Sequence, residues 1–171
     1  MKRREIQIYD NVLSERYMEL VSHRFTYDLP WYFSAADKRG CGNEKLHLAS
    51  QRAPRFFDEV ESTLLQVLVD KGYDTQRIYR SFSNCFRRGD RTAYHRDPGT
   101  TSYIFYVNPV WKKHWGSATR FKKTFGYKDI TPKPGRLIVY PASILHRGLA
   151  PSIFMPANIA GRFSIAFHEI R

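Results

Sequence analysis

Apolar residues along this chain change their period near residue 76. Before that point they recur at helical spacing, and after it they fall in short runs bounded by turn residues. Ile6 and Ile8 alternate with Glu5, Gln7 and Tyr9, which predicts a short opening strand that Asp10-Asn11 breaks. Ser14 suits an N-cap, with Glu15 in the first turn where the helix dipole favours an acid. Tyr17, Leu20, Val21 and Phe25 then share one helical face. A second helix is predicted with Pro54 in its first turn, Phe57, Val60, Leu64 and Leu68 on its apolar face, and Gly72 as its stop. Between the two, residues 28–51 read as irregular. Leu29-Pro30-Trp31-Tyr32-Phe33 is apolar and aromatic, and 38–45 is polar and contains glycine. A loop of that length suits a lid, a substrate-binding edge or an ordered surface segment.

Beyond residue 76, β-rich segments are predicted at 77–86, 101–107, 117–121, 136–140 and 162–169. Two helices followed by many short strands predict an α+β fold: a double-sheet β-barrel of the jelly-roll kind at about 76–171, backed by N-terminal helices at about 1–75, in a single domain spanning 1–171.

A length of 171 residues and 42% hydrophobic content suit one globular domain with a proper core. Lys and Arg number 28 against 16 Asp and Glu, a net charge of +12. Such a balance suits an anionic partner, such as nucleic acid, an acidic protein or an anionic small molecule. The basic residues are spread out, as Lys2-Arg3-Arg4, Arg87-Arg88, Lys112-Lys113 and Lys122-Lys123, so no charged tail is expected. The two cysteines, Cys41 and Cys85, have neither zinc nor redox spacing, which makes a reducing compartment the expectation. With no secretory leader pattern and no apolar run of membrane length, the expected location is the cytoplasm, and the composition suits a microbial or viral origin.

The candidate chemistry begins at Tyr94-His95-Arg96-Asp97. A histidine and a carboxylate two residues apart on an extended backbone can point at one metal ion; with Pro98-Gly99 next, the pair also suits a surface turn. His146 follows Leu137-Ile138-Val139-Tyr140-Pro141, a strand and its exit. Two histidines and one carboxylate make the facial set of non-haem Fe(II) oxygenases, which leaves positions open for a cosubstrate and O₂. Arg162 opens the apolar strand Gly161-Arg162-Phe163-Ser164-Ile165-Ala166-Phe167. An inward Arg is costly unless paired, and its planar fork matches a carboxylate with two hydrogen bonds. A dicarboxylate ligand would supply that partner; a surface Arg at a strand start is the alternative.

His95-x-Asp97, His146 and Arg162-x-Ser164, in this order and at these intervals, resemble the 2-oxoglutarate- and Fe(II)-dependent dioxygenases, and their prolyl-hydroxylase branch in particular. Tyr103-Ile104-Phe105-Tyr106-Val107-Asn108 resembles that branch's aromatic strand after the metal motif, and Trp111 the Trp that follows it. Trp115-Gly116-Ser117 resembles its Gly-Gly strand with Ser117 at the second Gly, and Pro134-Gly135-Arg136-Leu137-Ile138-Val139-Tyr140 the strand before the distal His. The resemblance implies a double-stranded β-helix in which His95, Asp97 and His146 bind Fe(II). It implies that Arg162 pairs with the distal carboxylate of 2-oxoglutarate, with hydroxyls of Tyr106 and Ser164 beside it. It further implies consumption of O₂, release of succinate and CO₂, ascorbate as a reductant, and a prolyl residue of a protein or peptide as the hydroxylated substrate. Ser117 and the inserted Ile153-Phe154-Met155-Pro156 depart from the pattern, and both bear on the substrate more than on the chemistry. Substrate contacts are expected from the loops at 28–51 and 147–161.

Other readings remain. Arg87, Arg88, Lys112 and Lys113 would suit an oxidative demethylase or hydroxylase acting on nucleic acid, which also needs aromatics to sandwich a flipped base. A free amino acid is a third substrate class, and a barrel that binds anions or nucleic acid around a vestigial metal site is the non-enzyme reading. Tyr94 suits either the core or the substrate side of the iron. Trp31 and Trp115 suit either the pocket mouth or the core. His23, His47, His114 and His168 have no partner spacing, though His168 falls late in the last strand, towards the pocket.

Overall fold

The computed structural model describes residues 5–28, 32–33, 48–51, 56–90 and 92–170. Strand β1 (Gln7–Tyr9) leads to helix α1 (Glu15–Tyr27), where the Ser14 side chain accepts a hydrogen bond from the Tyr17 N–H at 3.3 Å. Met18, Val21 and Phe25 are buried, but Leu20 is 51% exposed, which corrects its placing on the inner face. At about 100° per residue, Leu20 lies roughly 130° from the centre of the Met18, Val21 and Phe25 stripe. Helix α2 (Phe56–Asp70) buries Val60, Leu64 and Leu68, and Gly72 follows it at φ 76. Between the helices run two short strands, β2 (Tyr32–Phe33) and β3 (Leu48–Gln51), where the sequence pattern reads as irregular. Long-range pairing supplies what local pattern lacks, because β3 is held in register by its downstream neighbour. The expectations for Lys2-Arg3-Arg4, Leu29-Pro30-Trp31, 38–45, Cys41, His47, Pro54 and the Phe57 side chain lie outside the described residues.

The remaining strands are β4 (Ile78–Phe86), β5 (Thr101–Tyr106), β6 (Thr119–Lys122), β7 (Tyr127–Ile130), β8 (Leu137–Pro141), β9 (His146–Gly148) and β10 (Arg162–Glu169). Among the described residues they form two antiparallel sheets, one in the order β1-β8-β5-β10-β4-β3-β2 and one in the order β7-β6-β9. The architecture is mixed, with antiparallel sheets and few helices.

The alternation of β10 sets the layers. Phe163, Ile165 and Phe167 join Val21, Phe25, Leu64 and Leu68 in the core between the large sheet and the helices. Arg162, Ser164, Ala166 and His168 therefore take the opposite face. On that side Tyr106, Ile138 and Tyr140 of the large sheet meet Phe121 and Ile130 of the small one in a second core. The helix-side face of the large sheet is thus mainly apolar, with the buried Ser83 opposite Ile165 as a polar exception, while the other face mixes apolar and polar side chains, and the candidate chemistry sits there.

A third cluster forms where Trp111 and Trp115 meet edge to face, with Met155 against them. Met155 belongs to the stretch after β9, which Arg88 fastens by donating to the Met155 carbonyl and Ser152 by donating to the His114 carbonyl at 2.7 Å. Ile153 and Phe154 are left 79% and 69% exposed. Of the two roles open to Trp115, core packing is the one observed. No helix among the described residues is long and apolar enough to cross a membrane.

Candidate metal centre

His95 and His146 lie directly opposite each other on antiparallel backbone. The His95 N–H donates to the His146 carbonyl at 2.9 Å, and the His146 N–H returns a bond to the His95 carbonyl at 3.0 Å. Paired residues of this kind send their side chains to the same side, and the two rings lie 4.4 Å apart at an interplanar angle of 55°. Asp97, one pleat further on, is anchored by its N–H to the Ala142 carbonyl at 3.0 Å. At Gly99, with φ +97, a Cβ would overlap the Glu169 carbonyl oxygen, so the turn after Asp97 can press against the end of β10. The carboxylate falls between the two imidazoles. Its Oδ1 is 3.6 Å from His95 Nε2 and its Oδ2 is 3.5 Å from His146 Nε2. One ligating atom from each of the three residues lies within 4.8 Å of the others.

The set fits a metal on a second count. His95 Nδ1 is 2.9 Å from the Ala93 carbonyl, and His146 Nδ1 is 2.9 Å from the Ile144 carbonyl. A carbonyl only accepts, so each Nδ1 carries a proton, and Nε2 is the nitrogen each ring turns towards Asp97 and offers to a metal. Fixing the tautomer through the far nitrogen is how proteins orient ligating histidines. The His95 side chain is 33% exposed, against 8% for Asp97 and 5% for His146, so the centre opens to solvent on the His95 side. A cleft of about 610 Å³, lined among others by Tyr79, Arg96 and Ser143, reaches Asp97.

Asp97 has further neighbours. The Tyr140 hydroxyl donates to Asp97 Oδ2 at 2.8 Å and lies 3.1 Å from His146 Nε2. His168 Nδ1 lies 3.9 Å from the same Oδ2 and 3.3 Å from Ser102 Oγ, with its ring stacked on Phe82. Burial alone would raise the Asp97 carboxyl, but His146, His168, Ser102 and His95 outweigh it and hold it below the usual carboxylate range. Burial pulls His168 down to about 4, although Asp97 opposes the shift, so the ring is neutral at physiological pH. His168 is thus part of the centre. Its position late in the last strand was the only sequence cue, and it gave no partner.

The residues expected to hold a cosubstrate gather around Tyr106, which shares the second core with Phe121 and Tyr140, both packed on His146. The Arg162 guanidinium lies over the Phe86 ring at 4.1 Å and the Tyr106 ring at 5.5 Å. Its Nη1 donates to the Ser117 carbonyl at 3.1 Å, while its Nε is buried with no partner. No acidic side chain among the described residues pairs with it, and burial lowers its pKa. The Tyr106 hydroxyl and Thr119 Oγ1 are 2.7 Å apart, and burial raises the Tyr106 pKa against the pull of Arg162, so it is a neutral phenol. Ser164 is buried opposite Tyr106 in the β5–β10 register, one pleat from Arg162.

Two residues here carry more than their sequence pattern suggested. Asn108 donates to the Gly161 carbonyl at 2.9 Å and accepts from the Phe163 N–H at 2.6 Å, which clamps the backbone on both sides of Arg162. Ser117 takes φ 62, a left-handed conformation that costs a non-glycine residue about 1–2 kcal/mol. It is buried. Its hydroxyl donates to the Leu149 carbonyl at 3.1 Å and its own carbonyl holds Arg162.

No family model and no curated protein matches the sequence. Solved structures do. A prolyl-4-hydroxylase from Pseudomonas putida superposes with a TM-score of 0.73 at 15% identity, over 98% of this chain and 94% of that one. The fold is that of the 2-oxoglutarate/Fe(II) oxygenases. A Trichoplax adhaerens prolyl hydroxylase, in complex with a peptide fragment of the hypoxia inducible factor oxygen degradation domain, also gives 0.73, at 13% identity over 96% and 83% of the two chains. A 2OG-Fe(II) oxygenase family oxidoreductase from Burkholderia pseudomallei gives 0.69, at 13% identity over 95% and 83%. The 2-oxoglutarate/Fe(II) oxygenase fold therefore extends across this chain despite low sequence identity.

Proposed function

We propose that this chain is an Fe(II)- and 2-oxoglutarate-dependent dioxygenase that hydroxylates a prolyl residue in a protein or peptide. In this reading its two sheets are the halves of a double-stranded β-helix, the jelly roll, within one domain at 1–171. The observation that carries it is Arg162, a buried guanidinium with no acidic partner among the described residues, placed beside a three-ligand face whose histidine tautomers are already fixed. A buried cation without a counter-ion costs several kcal/mol, so its place in the fold is best explained by an anion that arrives as a ligand.

Bound iron, 2-oxoglutarate and O₂ would together supply the oxidant, with the cosubstrate leaving as succinate and CO₂ and ascorbate serving as reductant. The chain's own residues do the holding. His95, Asp97 and His146 take the metal through two nitrogens and one oxygen, a donor set suited to Fe(II). Arg162 meets the distal carboxylate of 2-oxoglutarate, and the neutral Tyr106 phenol can donate to the same group, with Ser164 alongside. Phe121, Ile138 and Tyr106 keep water from the interior around them. The substrate enters on the exposed side of His95. A peptide substrate draws support from the Trichoplax protein of the same fold, which binds one.

The test is a set of proline-containing peptides incubated with the chain, Fe(II) and 2-oxoglutarate. A peptide gaining one oxygen atom, with an equal amount of succinate, is the expected result. Succinate formed while every peptide stays unmodified would move the substrate to nucleic acid or a free amino acid.

A further inference from the structure

We propose that Tyr140, Ser102 and His168 form a polar row, built across three strands, that fixes the orientation of Asp97 and so sets the affinity and geometry of the metal centre. The proposal rests on the metal reading given above. Ser102 on β5 is in register with Tyr140 on β8 and with His168 on β10. Residues opposite one another in a sheet share a face, so the three stand side by side on the inner surface. They are 1–2% exposed, and their neighbours one pleat along, Ile104 and Ile138, are apolar. Buried polar groups in such a layer are costly unless they satisfy one another.

They do so in two hydrogen-bonded pairs, Tyr140 with Asp97 and Ser102 with His168, the second bordering Asp97 Oδ2 at a longer approach. Tyr140 donates to Asp97 Oδ2 at 2.8 Å, Ser102 Oγ meets His168 Nδ1 at 3.3 Å, and the same His168 nitrogen lies 3.9 Å from Oδ2. Oδ2, which also faces His146 at 3.5 Å, takes the bond from Tyr140, while Oδ1 faces His95 at 3.6 Å. A donor to an ionised carboxylate makes one of the stronger hydrogen bonds available to a protein. Without it, the Asp97 backbone would stay anchored through its N–H to Ala142, but the carboxylate would keep only the weaker neighbours His168 and Ser102 and would turn more freely about its last side-chain bond. The Tyr140 hydroxyl also lies 3.1 Å from His146 Nε2, so one phenol borders two of the three ligands. Nothing in the spacing of His95, Asp97 and His146 calls for a hydroxyl at position 140.

Hydrogen-bonded neighbours of metal ligands typically alter affinity by about 10–100-fold when removed. Tyr140→Phe keeps the ring and its edge contact with Phe121 and loses only the hydroxyl. The measurement is cobalt(II) binding to the whole chain, read both as a dissociation constant and as the visible absorption band of the bound ion, beside the thermal midpoint of the metal-free protein. The expected result is weaker binding in that range for Tyr140→Phe and a shifted band, with a smaller loss for Ser102→Ala. A changed midpoint with cobalt affinity and band both unchanged assigns the row to structure alone and overturns the proposal. If Tyr140→Phe does not fold, Ser102→Ala and His168→Gln carry the same measurement, and unchanged affinity and band in both overturn it. Failure of the unmodified chain to bind cobalt removes the metal reading and this proposal together. Equal binding by the unmodified chain and Tyr140→Phe removes this proposal only.

Discussion

Arg162→Met is expected to make the ligand-free protein more stable while removing its affinity for 2-oxoglutarate. The two effects have one cause. Arg162 is 3% exposed, its Nε has no partner, and no acidic side chain among the described residues offsets its charge. Replacing buried charge by apolar groups of similar volume can stabilise a fold by about 1–4 kcal/mol. Loss of the bond to the Ser117 carbonyl returns about 1 kcal/mol of that. With ligand present the sign reverses, because a buried carboxylate that loses its charged partner costs about 2–5 kcal/mol of binding. Thermal unfolding with and without 2-oxoglutarate reads both halves. The expected pattern is a raised midpoint without ligand and no ligand-induced rise in the variant, against a clear rise in the unmodified protein. A variant destabilised without ligand and still stabilised by 2-oxoglutarate would remove Arg162 from the site.

Asp97→Asn is expected to abolish conversion of 2-oxoglutarate while leaving the chain folded. Asparagine keeps the shape and can still accept from Tyr140, but it cannot bring negative charge to a divalent ion held by two imidazoles, which carry none of their own. Asp97 is held below the usual carboxylate range, so it is ionised throughout the physiological pH range. Loss of manganese(II) affinity should exceed the roughly 10–100-fold that removal of a ligand's hydrogen-bonding neighbour costs. Asn at 97 with unchanged manganese binding would show that the carboxylate is not a ligand.

Residues whose role depends on local order were legible in the sequence. Ser14, Gly72, and the run of Val60, Leu64 and Leu68 follow from helix geometry, and all three stand in the structure where the pattern put them. His95, Asp97, His146 and Arg162 were singled out by their spacing within a resemblance; in the structure the first three each place one ligating atom within 4.8 Å of the others, and Arg162 is buried. What escaped was set by pairing between distant segments. Strand β9 is three residues long and exists because His146 sits opposite His95 and Phe121. Strands β2 and β3 exist because β4 offers an edge. Tyr140, Ser102 and His168 are spread over positions 102–168 and become neighbours only once three strands are in register. Asn108 acts on the backbone flanking Arg162, which no one-dimensional pattern exposes.

The proposed chemistry needs both the three-residue metal face and the buried Arg162, which has no acidic partner among the described residues. The most direct measurement is succinate formed from 2-oxoglutarate by the purified chain, with and without added Fe(II) and under air or nitrogen. The account predicts succinate only when Fe(II) and O₂ are both present, and none from the Asp97→Asn or Arg162→Met chains at the same 2-oxoglutarate concentration. Succinate formation that is indifferent to Fe(II), or its absence under every condition from a chain that binds neither metal nor 2-oxoglutarate, would contradict it.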